Sequence, residues 1–451
     1  MLIGKLGSTG VFILILLIII AIIVDTSIIS IVTSAGGLRS SVSDIALFIF
    51  MTIIFGVGQY IVMSFVKQEY KDKGKDKIRS IRPGLDLIDK VVTITQYLLL
   101  AILVFAILQM LFTMSYHILI LKATIIISYC LTFILLAYLA KHFFSWFKSN
   151  HSLVVLFYAL GISMISINAI VTIMYTNNEF INVPTYIRPV RSLTGAFGSP
   201  DITLSSTYLL TSIISFILMW IATVLLLKHY SRQLGRIKYW IIVSIPLAYF
   251  LSQFQPLFLY SFAELRISDP VLFGIIYNLI FSVSKPAGGV LFGIAFWTLA
   301  RRLSNKTVKS YMVISAYGMT LLFAANQPIG LILVPYPPFS LASICFVVLS
   351  AYLVVLGIYS SALSVANDVQ LRRAIRKSVE QQSDLLDKIG TAQMESQLQN
   401  RVLSLTRDLT DEMTEQTGVQ SSLQDEQEIR DYVDRVIEEI KVIRTKNTGS
   451  S

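Results

Sequence analysis

This chain has little charge. Only 14% of its 451 residues are Asp, Glu, Lys or Arg, while 55% are hydrophobic. A water-soluble domain carries about 25% charged residues. The shortfall excludes a disordered chain, which needs low hydrophobicity, and a water-soluble globular enzyme. Mean hydropathy is +0.70. A chain this apolar needs lipid to cover it, which leaves an integral membrane protein.

Cysteine and histidine are also scarce. Cys130 and Cys345 each lie inside an apolar run, where a Cys acts as a small buried hydrophobe. Two such residues make neither a disulfide framework nor a zinc site. His117, His142, His151 and His229 lie at the ends of apolar segments, and no two have a metal-ligand spacing. No metal or other cofactor is expected. Catalytic motifs are missing as well. There is no G-x-x-x-x-G-K-[ST] for an ATP-driven pump, no H-E-x-x-H and no G-x-S-x-G. The 89 residues after 362 hold three glycines, no His and no Cys, so a histidine-kinase output is excluded. On these absences the chain is not expected to be an enzyme.

What is present is a series of long apolar runs. A spanning helix needs about 20 mostly apolar residues. Ten runs qualify, at about 10–33, 45–66, 91–115, 118–140, 152–175, 205–227, 239–260, 275–300, 310–332 and 339–362. The expected fold is all-α: a polytopic transmembrane bundle of about ten spans over residues 1–362, followed by a cytoplasmic helical tail over 363–451. The first run continues past Asp25 to Val32, longer than the core of a signal peptide, and is read as an uncleaved span. The stretch from Pro270 to Ala300 is read as one span with an outer extension. Thr176 to Leu204 carries Pro184, Pro189, Gly195, Gly198 and Pro200 and is read as a loop.

Loop charge sets the orientation. With the N-terminus in the cytoplasm, the inside loops 67–90, 141–151, 228–238 and 301–309 carry 18 Lys and Arg against 5 outside. That asymmetry follows the positive-inside rule and puts both termini in the cytoplasm. Asn305-Lys306-Thr307 fits a glycosylation sequon, but this topology places it inside. The pI is near 9.4, yet no nucleic-acid partner is expected. Residues 1–362 hold 25 basic against 11 acidic residues, and 363–451 hold 12 against 16. The basic excess therefore marks topology, and the partner it implies is the lipid bilayer.

The tail is a different solvent regime, polar and net acidic. No Gly or Pro occurs from Ile358 to Ile389. The last span is therefore expected to run on as one helix, projecting about 40 Å from Ser361 at ~1.5 Å per residue, with a break at Gly390. Leu398, Val402, Leu405, Leu409 and Met413 form one amphipathic stripe, and Ile429, Val433, Val436, Ile437 and Ile440 a second. Each must cover its apolar face. A cytoplasmic protein partner, or self-association through residues 391–445, is expected.

Proline marks the candidate site. Of twelve prolines, Pro246, Pro256, Pro286 and Pro328 fall inside the seventh to ninth spans, and none in the first six. Proline removes a backbone donor and frees carbonyls that need partners. Polar side chains gather at these positions: Gln253, Gln255, Asn278, Lys285, Asn326 and Gln327, with Gly288-Gly289 beside them. All fall in the outer half of their spans. One reading is a polar pocket reached from outside; the other is interhelical hydrogen bonding. A Lys within a span costs about 2.5–3.5 kcal/mol on insertion scales and needs a partner or water. Asp25, late in the first span, and Glu264, in an outer loop, are the acids considered for Lys285. The expected function is a non-enzymatic sensor or scaffold, its outer pocket coupled through the last span to the tail. The alternative is a secondary transporter using the proline-broken spans.

At the start of the tail the sequence resembles a known group. Tyr359-Ser360-Ser361-Ala362-Leu363-Ser364, Asp368, Leu371-Arg372-Arg373-Ala374-Ile375-Arg376-Lys377 and Leu385-Leu386-Asp387-Lys388-Ile389-Gly390-Thr391-Ala392-Gln393-Met394 resemble the end of polytopic membrane proteins from ammonia-oxidising archaea. The resemblance covers roughly residues 355–400. It implies a membrane location and carries over no catalytic residue.

Overall fold

The computed structural model describes residues 16–25, 41–73, 83–181, 183–189, 202–228, 235–254, 262–303, 305–328, 331, 336–367 and 384–417. These are helical apart from turns and one short β pair, an all-α membrane bundle. The helices are α1 (Leu16–Asp25), α2 (Ser41–Lys73), α3 (Pro83–Thr113), α4 (Ile118–Asn150), α5 (Leu153–Glu179), α6 (Ile202–Leu227), α7 (Arg236–Ser252), α8 (Ala263–Ser268), α9 (Pro270–Phe281), α10 (Ser284–Arg302), α11 (Lys306–Ala325), α12 (Leu341–Asn367) and α13 (Asp384–Thr417). In lipid every backbone polar group must be bonded internally, which favours unbroken helices through apolar runs. Hydroxyls within them turn back to the preceding turn: Thr132 donates to Ser128 O at 2.7 Å and Thr172 to Asn168 O at 2.7 Å. Asn305, the residue of the apparent sequon, is the N-cap of α11, its Oδ1 accepting from Thr307 N at 2.9 Å and Val308 N at 3.2 Å.

Among the described residues seven helices are long and apolar enough to cross a membrane: α2 to α6, α11 and α12. The other three expected spans are described only in part or in pieces. α1 has ten described residues, and α7 has 17 with Pro246 inside it. The eighth is not one helix but two, α9 and α10, separated at Ser282–Val283. Proline fits the first turn of a helix, where its missing N–H would lack a partner anyway. Pro286 sits there in α10, so the chain stops and restarts just before it.

The core is organised around α12. Every residue from Leu341 to Ile358 is buried, and α12 packs on α2, α3, α4, α11 and α13. Glycines let backbones meet, as small residues do between membrane helices. A β-carbon added to Gly357 of α12 would lie 2.5 Å from Tyr311 O, and one on Gly318 of α11 would lie 2.7 Å from Val354 N. Gly289 and Gly293 bring α10 equally close to α11, with Thr320 O at 2.9 Å and Ala316 O at 2.7 Å. Two amides in line join α2 and α3 to α12: Gln59 donates to Gln96 O at 3.1 Å, and Gln96 to Cys345 O at 3.2 Å. At one end, β1 (Tyr116–His117) pairs antiparallel with β2 (Tyr186–Ile187), tying the α3–α4 connection to the chain after α5.

At the opposite end the tail departs from expectation. α13 runs through Gly390 without a break. It does not stand clear of the bundle; its first turns pack back on α12 and α4, and residues 368–383, where one continuous helix is expected, lie outside the described residues. Leu385, Leu386, Ile389 and Ala392 are buried. Trp146 Nε1 donates to Gln393 Oε1 at 3.0 Å, Asn150 Nδ2 donates to the Lys388 carbonyl, and Lys388 Nζ donates to Ser152 Oγ at 3.3 Å. Gly390 is where α13 meets Val365: an added β-carbon would lie 2.3 Å from Val365 Cγ1. A glycine that permits close approach therefore mimics a helix stop in the sequence. Farther along, Leu398, Val402 and Leu405 are exposed. The side chains of Leu409 and Met413, and the whole stripe from Ile429 to Ile440, lie outside the described residues.

Candidate ligand pocket at the helix breaks

The α9–α10 break opens a run of carbonyls, and three side chains close it. Tyr249 from α7 donates to the Ile280 carbonyl. Ser284 Oγ donates to Phe281 O at 2.7 Å. Gln327 Nε2 donates to Ser282 O at 3.2 Å and to Ala324 O at 3.2 Å. The end of α7 is treated alike: Tyr277 donates to Gln253 O at 3.3 Å, and Gln253 Nε2 to Phe250 O at 2.8 Å. Around Pro246, Trp220 Nε1 donates to Val243 O at 2.8 Å. Gln253 and Gln327 are thus engaged in repairing helix breaks. Gln255 lies outside the described residues, and so does the side chain of Asn278 on α9.

Lys285 and Asn326 come together differently. Both line one pocket, with Asn168 of α5 and Ser212 and Ser215 of α6, over a floor that includes Phe216 and Phe323. The pocket lies near the midpoints of α5 and α6, where the first turn of α10 meets the last turn of α11. The volume open to the centre of a water molecule is about 10 Å³, room for one water. Lys285 Nζ lies 3.4 Å from Tyr208 Oη and 5.5 Å from the centroid of that ring. Tyr208 in turn stacks on Tyr175, ring centroids 5.3 Å apart. Asn326 ends α11; its Oδ1 accepts from Tyr129 Oη at 3.0 Å. Asn168 Nδ2 donates to Thr211 Oγ1 at 2.9 Å and Tyr208 O at 3.3 Å. Gly288 seats Phe216 against α10, for an added β-carbon would fall 2.2 Å from that ring.

Neither acid considered for Lys285 is beside it. Asp25 is 1% exposed. Its Oδ2 accepts from Ser340 N at 2.9 Å and from Ser343 Oγ at 2.7 Å, so it caps the N-terminus of α12 from another helix. Glu264 is exposed on α8. The pairing fails because an orphan N–H at a buried helix start is itself a strong demand for an acceptor.

Proline-guided reading also misses the α5–α6 wall, since neither helix contains proline. A signal was present. Asn168 is an amide well inside an apolar run, and Tyr208, Thr211, Ser212 and Ser215 repeat at helical spacing on one face. Among the described residues no group of three His, Cys, Asp or Glu is placed to hold a metal ion. No protein-family model, curated protein or solved structure matches the chain.

Proposed function

We propose that the chain crosses the membrane ten times with both termini in the cytoplasm, and that it is a non-enzymatic sensor or scaffold. In this reading the pocket faces outward, binds a small ligand, and alters the tail through α11 and α12. The observation that carries it is continuity of packing. The last turn of α11 supplies Leu322, Phe323 and Asn326 to the pocket. α11 meets α12 backbone to backbone at Gly318 and Gly357. The far end of α12 holds α13 at Val365 and Gly390. A buried helix between two such contacts cannot shift at one end without repacking at the other. The test is hydrogen exchange along α13 in the purified protein, wild type against Lys285→Met and Phe323→Ala. Altered protection of residues 384–399 is expected. Protection unchanged in both variants, with the bundle folded, overturns the reading.

A secondary transporter is the second reading, favoured by one observation: α9–α10 is a discontinuous span and α11 ends at Asn326-Gln327-Pro328 on the same pocket. Transporters build sites from such interrupted helices near the membrane midplane. Against it, the prolines within spans, Pro246, Pro256, Pro286 and Pro328, all sit in one half of the chain, whereas transporter repeats place their helix breaks in both. Solute uptake into proteoliposomes decides between the two.

A further inference from the structure

We propose that the pocket binds a small monovalent inorganic anion of halide size, held by Lys285 Nζ, Asn326 Nδ2 and Ser212 Oγ. This rests on the ligand-binding reading above and names the ligand class.

Among the described residues the pocket is lined by donors and no acid. Its polar lining is Asn168, Ser212, Ser215, Lys285 and Asn326. Asn168 is engaged through both bonds of its Nδ2, and Ser215 Oγ donates to Ser212 O at 2.9 Å. Three groups are left facing the space. Among the described residues Asn326 Nδ2 and Ser212 Oγ make no hydrogen bond, and Lys285 Nζ has the Tyr208 hydroxyl and ring alone. Asp25 is held by Ser340 and Ser343. Glu179 does not line the pocket; it lies one turn beyond Tyr175 on α5, the residue whose ring stacks on Tyr208.

Charge gives the sign of the ligand. Lys285 is the second residue of the 19-residue α10, where the helix dipole presents its positive end. An ammonium there raises the local positive potential, in a site where water screens little. A cation placed this way within a span needs a counter-charge, and among the described residues no carboxylate lines the pocket or bonds Lys285 Nζ. An anion satisfies the ammonium, the helix terminus and the two free donors together. Volume gives the size. Room for one water admits a halide, and it excludes a carboxylate that carries a side chain. The Phe216 and Phe323 rings close the pocket on its apolar side and keep the ion from being solvated in place.

The experiment measures retention of radiolabelled chloride by the full-length purified protein, at constant ionic strength with gluconate as the balancing anion. Wild type is expected to hold one chloride per chain, displaced by bromide and not by sulfate. Lys285→Met is expected to lose saturable binding. Ser212→Ala removes one hydrogen bond to a charged ligand and should weaken binding about tenfold; it serves also if Lys285→Met does not fold. Three results each overturn the proposal: no saturable chloride in wild type, affinity unchanged in both variants, or sulfate competing as well as bromide. The coupling reading fails separately, through α13 exchange indifferent to Lys285→Met and Phe323→Ala.

Discussion

Replacing Asp25 by alanine tests how α12 is anchored. The carboxylate receives two hydrogen bonds, from Ser340 N at 2.9 Å and Ser343 Oγ at 2.7 Å, in a site where it is 1% exposed. Bonds to a charged acceptor contribute about 1.5–3 kcal/mol each, so the gross loss is several kcal/mol. Two terms offset it. The variant no longer desolvates a carboxylate, and the freed Ser343 hydroxyl can turn back to a carbonyl of the preceding turn. What stays uncompensated is the buried Ser340 N–H, about 1–3 kcal/mol. Asp25→Ala is therefore expected to cost about 2 kcal/mol, while Asp25→Asn, which keeps an acceptor oxygen, costs about 1 kcal/mol or less. The assay is unfolding in mixed micelles titrated with a denaturing detergent, read together with hydrogen exchange at the start of α12. Because Asp25 and Lys285 share no partner, Asp25→Asn combined with Lys285→Met should be additive within about 0.5 kcal/mol. The cap assignment is refuted if Asn destabilises as much as Ala, and the separation of the two sites is refuted by a coupling above about 1 kcal/mol.

Three other outcomes follow from the same contacts. Ser340 has φ 71 and a buried hydroxyl without a partner, so Ser340→Gly, which keeps the N–H bound by Asp25, should stabilise by about 1 kcal/mol in the same titration. Gln327→Leu removes the bonds to the Ser282 and Ala324 carbonyls and should destabilise by about 1–3 kcal/mol, with faster exchange confined to α9, α10 and the end of α11. Gly390→Leu meets Val365 Cγ1 at 2.3 Å and should release α13, so that limited proteolysis cuts residues 384–417 early while the bundle keeps its melting temperature.

Lipid cover was legible from residue chemistry alone. Hydropathy is a local property, and the long runs that form α2 to α6, α11 and α12 declare themselves without their neighbours. Proline is local too: Pro286 and Pro328 mark helix breaks, and Lys285 lines a pocket beside one of them. What tertiary structure decided is which polar group meets which. Asp25 and Ser340 are 315 residues apart, and nothing in either segment names the other. Gln327 and Lys285 looked alike as polar residues beside prolines, yet one closes a broken backbone and the other faces a pocket, because only packing shows which carbonyls a break leaves bare. Gly390 read as a helix stop, since the absence of a side chain signals chain freedom and close approach equally well. The wall from α5 and α6 escaped notice for a related reason. Its Asn and Ser residues are too few to lower the hydropathy of their helices, and their meaning appears only when two faces meet.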